Sequence, residues 1–121
     1  MKFDPTPFLP LAPAALNILM ALAGEDRHGY GIMLEVARQS AGQCKLGPGT
    51  LYDNLQKLTT QKLVTEVEGT SGEDSRRRYY RLTAAGRGVL SAEIRRLEGM
   101  IRSAKLHLRT FIPGTKPRSA S

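Results

Sequence analysis

A short polar stretch that begins at Gly47 carries the side chains best suited to bind another molecule. Leu51, Leu55 and Leu58 recur at helical spacing. They predict a helix starting at Pro48, where the missing N–H of proline costs nothing. Its opposite face is small, polar and mostly uncharged, which suits insertion into a DNA groove. An ordinary surface helix would show the same pattern. The predicted DNA-binding residues of this helix are Gly49, Thr50, Tyr52, Asp53, Gln56 and Lys57.

An arginine run follows in a predicted β-hairpin. Residues 63–68 predict a strand, residues 69–74 a flexible turn and residues 75–82 the returning strand. Two strands directly after such a helix would form a wing, whose arginines would meet a phosphate backbone or enter a minor groove. The alternative is a solvated charge run that neighbours the acidic residues of the same hairpin. The predicted DNA contacts of the wing are Arg76, Arg77, Arg78 and Tyr79.

Other chemistry has little support in the residues. Cys44 is the single cysteine, so an intramolecular disulfide is impossible, and no Cys/His cluster has the spacing of a zinc site. We find no nucleophile beside a base and no glycine-rich phosphate loop. His28 is interpreted as a capping or packing residue rather than a ligand or base. The sequence therefore predicts no catalytic residues, no metal and no cofactor.

Charge and length bound the possible partners. The chain has 121 residues, enough for one modest domain, and its net charge of +7 suggests an anionic partner. The excess lies in residues 84–121, which hold eight basic and two acidic residues. It is therefore not in the predicted groove-binding helix. We find neither an apolar run of roughly 20 residues nor a secretory signal, so we expect no membrane association and a cytoplasmic location.

The remaining segments predict how this helix is held. Residues 1–12 are proline-rich and predict an extended arm, and a helix from Pro13 to about Ala23 follows. A polar turn at residues 25–27 precedes a second helix, from His28 to about Ser40. The next connection leaves room for a small strand near residues 43–46. We therefore predict a winged helix-turn-helix domain over residues 13–83. The apolar side predicted for the first helix is Leu16, Leu19, Met20 and Ala23.

A long last helix is predicted from Ala84 to about Arg109, with Thr83 as its N-cap. Its apolar residues alternate spacings of four and three, which is a heptad seam. Isoleucine at one core position and leucine at the other favour a two-stranded association. The alternative is that this helix folds back on its own domain. We predict a dimerisation segment over residues 84–112 and a disordered tail over 113–121, with Leu90, Ile94, Leu97, Ile101, Ala104 and Leu108 at the dimer interface.

Three motifs in this order resemble the PadR family of bacterial transcriptional regulators. They are residues 28–30 (His-Gly-Tyr), 48–52 (Pro-Gly-Thr-Leu-Tyr) and 77–83 (Arg-Arg-Tyr-Tyr-Arg-Leu-Thr) with Gly86. The resemblance covers about residues 13–105. It implies a mostly helical α+β fold, a homodimer and a pseudo-palindromic operator in double-stranded DNA. In particular, the chain is similar to the short form with a single C-terminal helix. On the matching positions, Thr50 and Tyr52 would face DNA.

The sequence departs from the family pattern at four places. Gly47 stands where a serine cap is frequent, Asp53 where proline is common and Lys62 where glycine often ends the helix; the wing tip is acidic. Asp53 matters most for binding. A carboxylate on the groove side repels phosphates, yet it can accept a hydrogen bond from cytosine N4. It would either narrow the specificity or lie clear of the DNA.

Two functions of different classes fit these patterns. The first is a DNA-binding repressor that a small-molecule effector or another signal relieves. The second is a winged-helix module for protein–protein assembly, in which the arginines meet an acidic partner. The salt dependence of binding to random duplex DNA would separate them.

Overall fold

The computed structural model describes residues 3–69 and 77–114. It confirms the predicted mostly helical α+β fold, a winged helix-turn-helix followed by a long helix. Arg76, the hairpin tip from residue 70 and the tail from residue 115 lie outside the described residues. A 3-10 turn in the arm spans Thr6–Phe8. The other elements are α1 (Pro13–Ala23), β1 (Arg27–His28), α2 (Gly29–Gln39), α3 (Pro48–Thr60), β2 (Val64–Glu68), β3 (Arg78–Leu82) and α4 (Ala84–Thr110).

The sheet has three antiparallel strands in the order β1-β3-β2. The predicted hairpin is confirmed, with Val64 opposite Leu82 and Glu68 opposite Arg78. The prediction of a simple turn at residues 25–27 was wrong, because Arg27 pairs with Tyr80 as part of β1. Residues 43–46 form no strand, so the small strand lies before α2 rather than after it. A two-residue strand is too short to show any periodicity in the sequence.

The core forms where α1, α2 and α3 meet the sheet. Leu51, Leu55 and Leu58 are buried, as the leucine spacing of α3 predicted. The predicted apolar side of α1 was partly wrong, because Met20 is 42% exposed whereas Ile18 and Leu22 are buried. Helix α1 contacts α2, α3, α4 and β3. A helix surrounded in this way buries more than one stripe, so a single apolar face does not describe it.

The end of α3 is closed by a left-handed residue. Lys62 has φ +63°. Its N–H donates to the Thr59 carbonyl at 3.0 Å, and the Leu63 N–H donates to the Leu58 carbonyl at 2.9 Å. These two bonds form a Schellman motif, in which glycine is the preferred left-handed residue. Lys62 therefore occupies the left-handed position where glycine often ends this helix in the family.

Replacing Lys62 by glycine should stabilise the fold. A lysine in the left-handed region costs roughly 1 kcal/mol, which glycine avoids. We expect the Lys62→Gly melting temperature to rise by a few degrees. Glycine at Lys57, which lies inside α3, is the matched control and should lower it. A Lys62→Gly variant less stable than the unsubstituted chain would contradict this account of the α3 terminus.

The N-terminal arm is fixed to α4 by a buried carboxylate. Glu93 is 1% exposed. It accepts hydrogen bonds from the Leu11 N–H at 2.9 Å and from Arg96 Nε at 2.5 Å. The Arg96 guanidinium first, and the Leu11 N–H after it, hold the pKa of the Glu93 carboxyl below its usual value despite burial. Both partners favour the charged form of the Glu93 carboxyl. The hydrogen bond from the Leu11 N–H to this carboxylate keeps the arm and the first half of α4 together.

Helix α4 has two different halves. Its first part contributes Gly86, Val89 and Leu90 to the buried interior of the domain. Every residue from Met100 to Thr110 is exposed. The second half therefore extends beyond the body of its own chain, and its apolar side chains are uncovered.

Candidate nucleic-acid interface

Helix α3 presents a continuous polar face on the side opposite its buried leucines. The face includes all six residues that the sequence predicted for DNA binding on this helix, and each is exposed. Pro48 begins the helix and Gly47 precedes it without a side-chain cap. Because Gly47 provides no side-chain acceptor, the first-turn N–H groups of α3 favour an anion. The residues on this face are Gly49, Thr50, Tyr52, Asp53, Gln56 and Lys57.

Tyr52 connects α3 to the start of α2. Its ring is 49% exposed. The far end of the side chain, with the hydroxyl oxygen, Cζ and Cε1, lies against Gly29, the first residue of α2. The far end of Tyr52 thus rests on α2, while about half of the residue remains open to a partner.

His28 links the other end of this surface to the wing. Its Nδ1 accepts a hydrogen bond from the Gly31 N–H at 3.0 Å, which confirms the predicted capping role. Its ring packs edge-on against Tyr79, with centroids 5.3 Å apart. Arg77 Nη1 lies 3.0 Å from His28 Nε2. The donor and acceptor roles in this contact depend on the tautomer of the ring. Arg77 is exposed, and its guanidinium N–H groups outside this contact can reach an outside acceptor.

The wing arginines differ in how firmly they are held. Arg81 makes a bidentate ion pair with Asp26, with its closest contact at 2.7 Å, and this pairing lowers the pKa of Asp26. Arg78 lies 3.7 Å from Glu66, and its side chain is 81% exposed. Exposed pairs at such distances contribute little to stability. Arg77 and Arg78 are therefore the guanidinium groups of the described wing that can move to a phosphate at low cost.

Two open cavities meet at Tyr52 between α3 and the wing. One has a volume of about 450 Å³ and is lined by His28, Gly29, Tyr30, Tyr52, Arg77, Arg78 and Tyr80. The other, of about 430 Å³, lies towards the end of α3 and is lined by Tyr52, Leu55, Gln56, Thr59, Thr60, Glu66, Arg78 and Tyr80. Burial and the nearby Glu66 raise the pKa of Tyr80, so its hydroxyl stays neutral. Together the cavities form a groove that joins the helix and wing surfaces.

Sequence reasoning missed several residues of this groove. Tyr30 was recognised only as part of a motif, although it is 62% exposed beside the wing. Thr59 and Glu66 were not assigned to the site. Their signal is weak, because they come from the end of α3 and from β2 and meet only in the folded chain. Within the described parts, no cluster of His, Cys, Asp or Glu could hold a metal ion, and no helix is long and apolar enough to span a membrane.

The predicted seam residues fall into two groups. Leu90 is 7% exposed and belongs to the core of its own chain, so little of its surface is left for a second one. Leu97 is half-buried and Ala104 is exposed. Ile94, Ile101 and Leu108 are 45%, 53% and 78% exposed. Only the seam from Ile94 onward is available for an interface.

This fold and surface define a winged helix-turn-helix regulator. The model of the PadR-like family of transcriptional regulators matches residues 18–92, and the chain belongs to that family. It is thus a DNA-binding transcriptional regulator, which confirms the predicted family and the choice of a regulator over an enzyme. The chain is 36% identical over 92 residues to Transcriptional regulator Rv3488 of Mycobacterium tuberculosis, covering 75% of this chain and 81% of that one.

Two solved structures share the fold. A PadR family transcription regulator from Clostridium difficile has a TM-score of 0.66 at 23% identity, and the match covers 80% of this chain and 99% of that one. RosR of H. salinarum has a TM-score of 0.57 at 29% identity, and the match covers 79% of each chain. The first likeness supports the fold alone.

Proposed function

We propose that this chain is a cytoplasmic repressor that binds a pseudo-palindromic operator as a homodimer. The observation that supports it most is the convergence of three elements on one open surface. Tyr52 of α3, the first turn of α2 and Arg77 and Arg78 of the wing line the same cavity. A recognition helix beside a basic wing is the arrangement with which winged helices engage duplex DNA.

Each element would do a separate part of the binding. The first turns of α3 would enter the major groove, where Thr50 and Tyr52 reach base edges or the adjoining phosphates. Arg77 and Arg78 would contact the phosphate backbone beside that groove and fix the register of the helix. Arg76 and Tyr79 would extend the same contact along the wing. Gly49, Gln56 and Lys57 complete the surface of α3 that faces the DNA.

Asp53 would act on specificity rather than on affinity. It is an exposed carboxylate on the proposed DNA face of α3. Phosphates repel it at every sequence, whereas the amino group of a cytosine can donate to it. Asp53 would thus weaken binding to most DNA sequences. Binding to a sequence with a cytosine at the position that faces Asp53 would be weakened less.

The dimer would join two such surfaces through α4. Ile94, Leu97, Ile101, Ala104 and Leu108 form the seam, and the uncovered second half of the helix supports its use between chains. A two-fold axis along this seam would place the two recognition helices at successive half-sites. We propose that a small-molecule effector or another signal changes that geometry and releases the operator.

The wing provides the test of DNA binding. We expect the protein to shift random duplex DNA at low salt and to release it steeply as salt rises. Replacing Arg77 and Arg78 by alanine should weaken binding to random and specific DNA alike. It should also reduce the slope of log K against log salt by about 0.9 for each phosphate that the variant no longer neutralises.

Arg81→Ala is the matched control, because it removes an arginine from the same strand that already pairs with Asp26. Its salt slope should stay close to that of the unsubstituted protein. An unchanged slope in the Arg77/Arg78 variant would remove the wing from the DNA interface. A protein that shifts no duplex DNA at any salt would instead favour assembly with an acidic protein partner.

A further inference from the structure

We propose that Gly29 is a positioning residue for DNA recognition: its missing side chain forms the seat that holds Tyr52 in place between α3 and the wing. This inference rests on the proposed function and names a residue of α2 that shapes the recognition surface without touching the DNA. Two observations carry it: the contact between Gly29 and the Tyr52 ring, and the backbone conformation at Gly29.

The contact leaves no room for any side chain at position 29. A Cβ built on Gly29 would overlap the Tyr52 hydroxyl oxygen and lie 2.9 Å from Cζ and 3.3 Å from Cε1 of the same ring. Real Cβ atoms essentially never come within 3.0 Å of a non-bonded heavy atom of another residue. The ring is therefore in its observed place only because residue 29 is a glycine.

The backbone does not explain this glycine. Gly29 is the first residue of α2 and does not have the positive φ that would require glycine. Alanine is the better helix former and would suit the helix itself. Of the roles a glycine could have at position 29, close approach of another group is the one that fits, and that group is Tyr52.

The position of Gly29 also couples Tyr52 to the wing. The preceding residues, Arg27 and His28, form β1 and pair with Tyr80 and Tyr79 of β3. Gly29 is thus one peptide bond away from β1, the strand that pairs with β3 of the wing. A tyrosine resting on Gly29 lines the same cavity as Arg77 and Arg78. A phosphate or base edge that enters this cavity would then meet a tyrosine that is already held in place.

Gly29→Ala should therefore harm recognition more than folding. The atoms in the way belong to the far end of one half-exposed side chain, so the ring can turn outward while the backbone stays. We expect a melting temperature near that of the unsubstituted chain and a loss of specific DNA affinity of about fivefold to a hundredfold. The specific affinity should fall more than the affinity for random DNA.

A double-mutant cycle separates this role from a purely structural one. In Tyr52→Ala the seat has no occupant, so adding Gly29→Ala should cause no further loss of affinity. Gly24→Ala is the control, because a Cβ at Gly24 meets no atom within 4 Å and Gly24 lies at the end of α1. If Gly29→Ala alone unfolds, the pair with Tyr52→Ala should restore the melting temperature, since the obstructing ring is gone.

Nuclear Overhauser effects provide a readout that needs no DNA. The Tyr52 ring protons should show cross-peaks to the Gly29 Hα atoms, and these should be absent in Gly29→Ala. The proposal is overturned if the cross-peaks are missing in the unsubstituted chain. It is also overturned if Gly29→Ala binds specific DNA normally, or if its loss is equally large in the Tyr52→Ala background. Intact cross-peaks in a protein that binds no DNA would overturn the proposed function and with it the role of the seat in recognition.

Discussion

Replacing Ile101 and Leu108 by glutamate should turn the proposed homodimer into monomers and lower the affinity for the proposed operator by about a hundredfold or more. Each buried aliphatic side chain contributes roughly 1.5–3 kcal/mol. The two substitutions in each chain of a symmetric dimer remove four such side chains. Both residues lie in the half of α4 that projects from the body. The monomer should therefore remain folded. The affinity falls because, in a dimer, the binding of one domain places the second at a high effective concentration near its own half-site. Separate monomers lack this advantage.

The control uses the same helix and the same spacing. Ser103→Glu with Thr110→Glu places two charges seven residues apart on the outer side of α4, and both positions are exposed. Sedimentation should show a dimer for this control and a monomer for the seam variant. The winged helix-turn-helix domain should melt at the same temperature in both variants. A seam variant that sediments as an unchanged dimer would place the interface elsewhere.

The periodic elements could be predicted from the sequence, because their signals are repeated. Helix α1 begins and ends where it was predicted, and α3 follows Pro48 and the leucines at 51, 55 and 58. Helix α4 follows its heptads from Ala84 and ends at Thr110, one residue past the predicted Arg109. Each of these segments spans at least three turns, so its apolar residues recur often enough to define a face.

The missed features depend on contacts between distant segments. Strand β1 has two residues and exists only because β3 lies beside it. Glu93 looks like a surface residue of a charged helix, yet the arm covers it and the Leu11 N–H binds it. The contact between Gly29 and Tyr52 joins two motifs that the sequence shows separately, and nothing in either motif states that they touch. Local pattern carries no information on such pairs.

Gly86→Ala should be the most destabilising of the single substitutions proposed for this chain. We expect it to lower the free energy of unfolding by about 3 kcal/mol or more. A Cβ at position 86 would overlap the carbonyl oxygen of Leu63 and lie 2.6 Å from Leu82 Cδ1. Unlike the ring over Gly29, this oxygen is backbone and cannot turn aside. The same carbonyl accepts the Thr83 N–H at 3.1 Å, while the Thr83 hydroxyl donates to the Lys62 carbonyl at 2.7 Å. Moving it would break the junction of α3, the sheet and α4.

Thermal melting and sedimentation of Gly86→Ala, with Gly99→Ala as the control, test this prediction. Gly99 lies in the same helix, and a Cβ there meets only Arg102 Nη2, at 3.8 Å. Alanine at Gly99 should therefore stabilise α4 by roughly 0.5–1 kcal/mol. Because total stabilities are about 5–15 kcal/mol, the Gly86 variant should melt about 10 °C lower or more, or fail to fold. Equal melting of the two variants would mean that α4 can move off the Leu63 carbonyl without loss. In that case the close packing of α4 on the sheet would not be what fixes its direction relative to the wing.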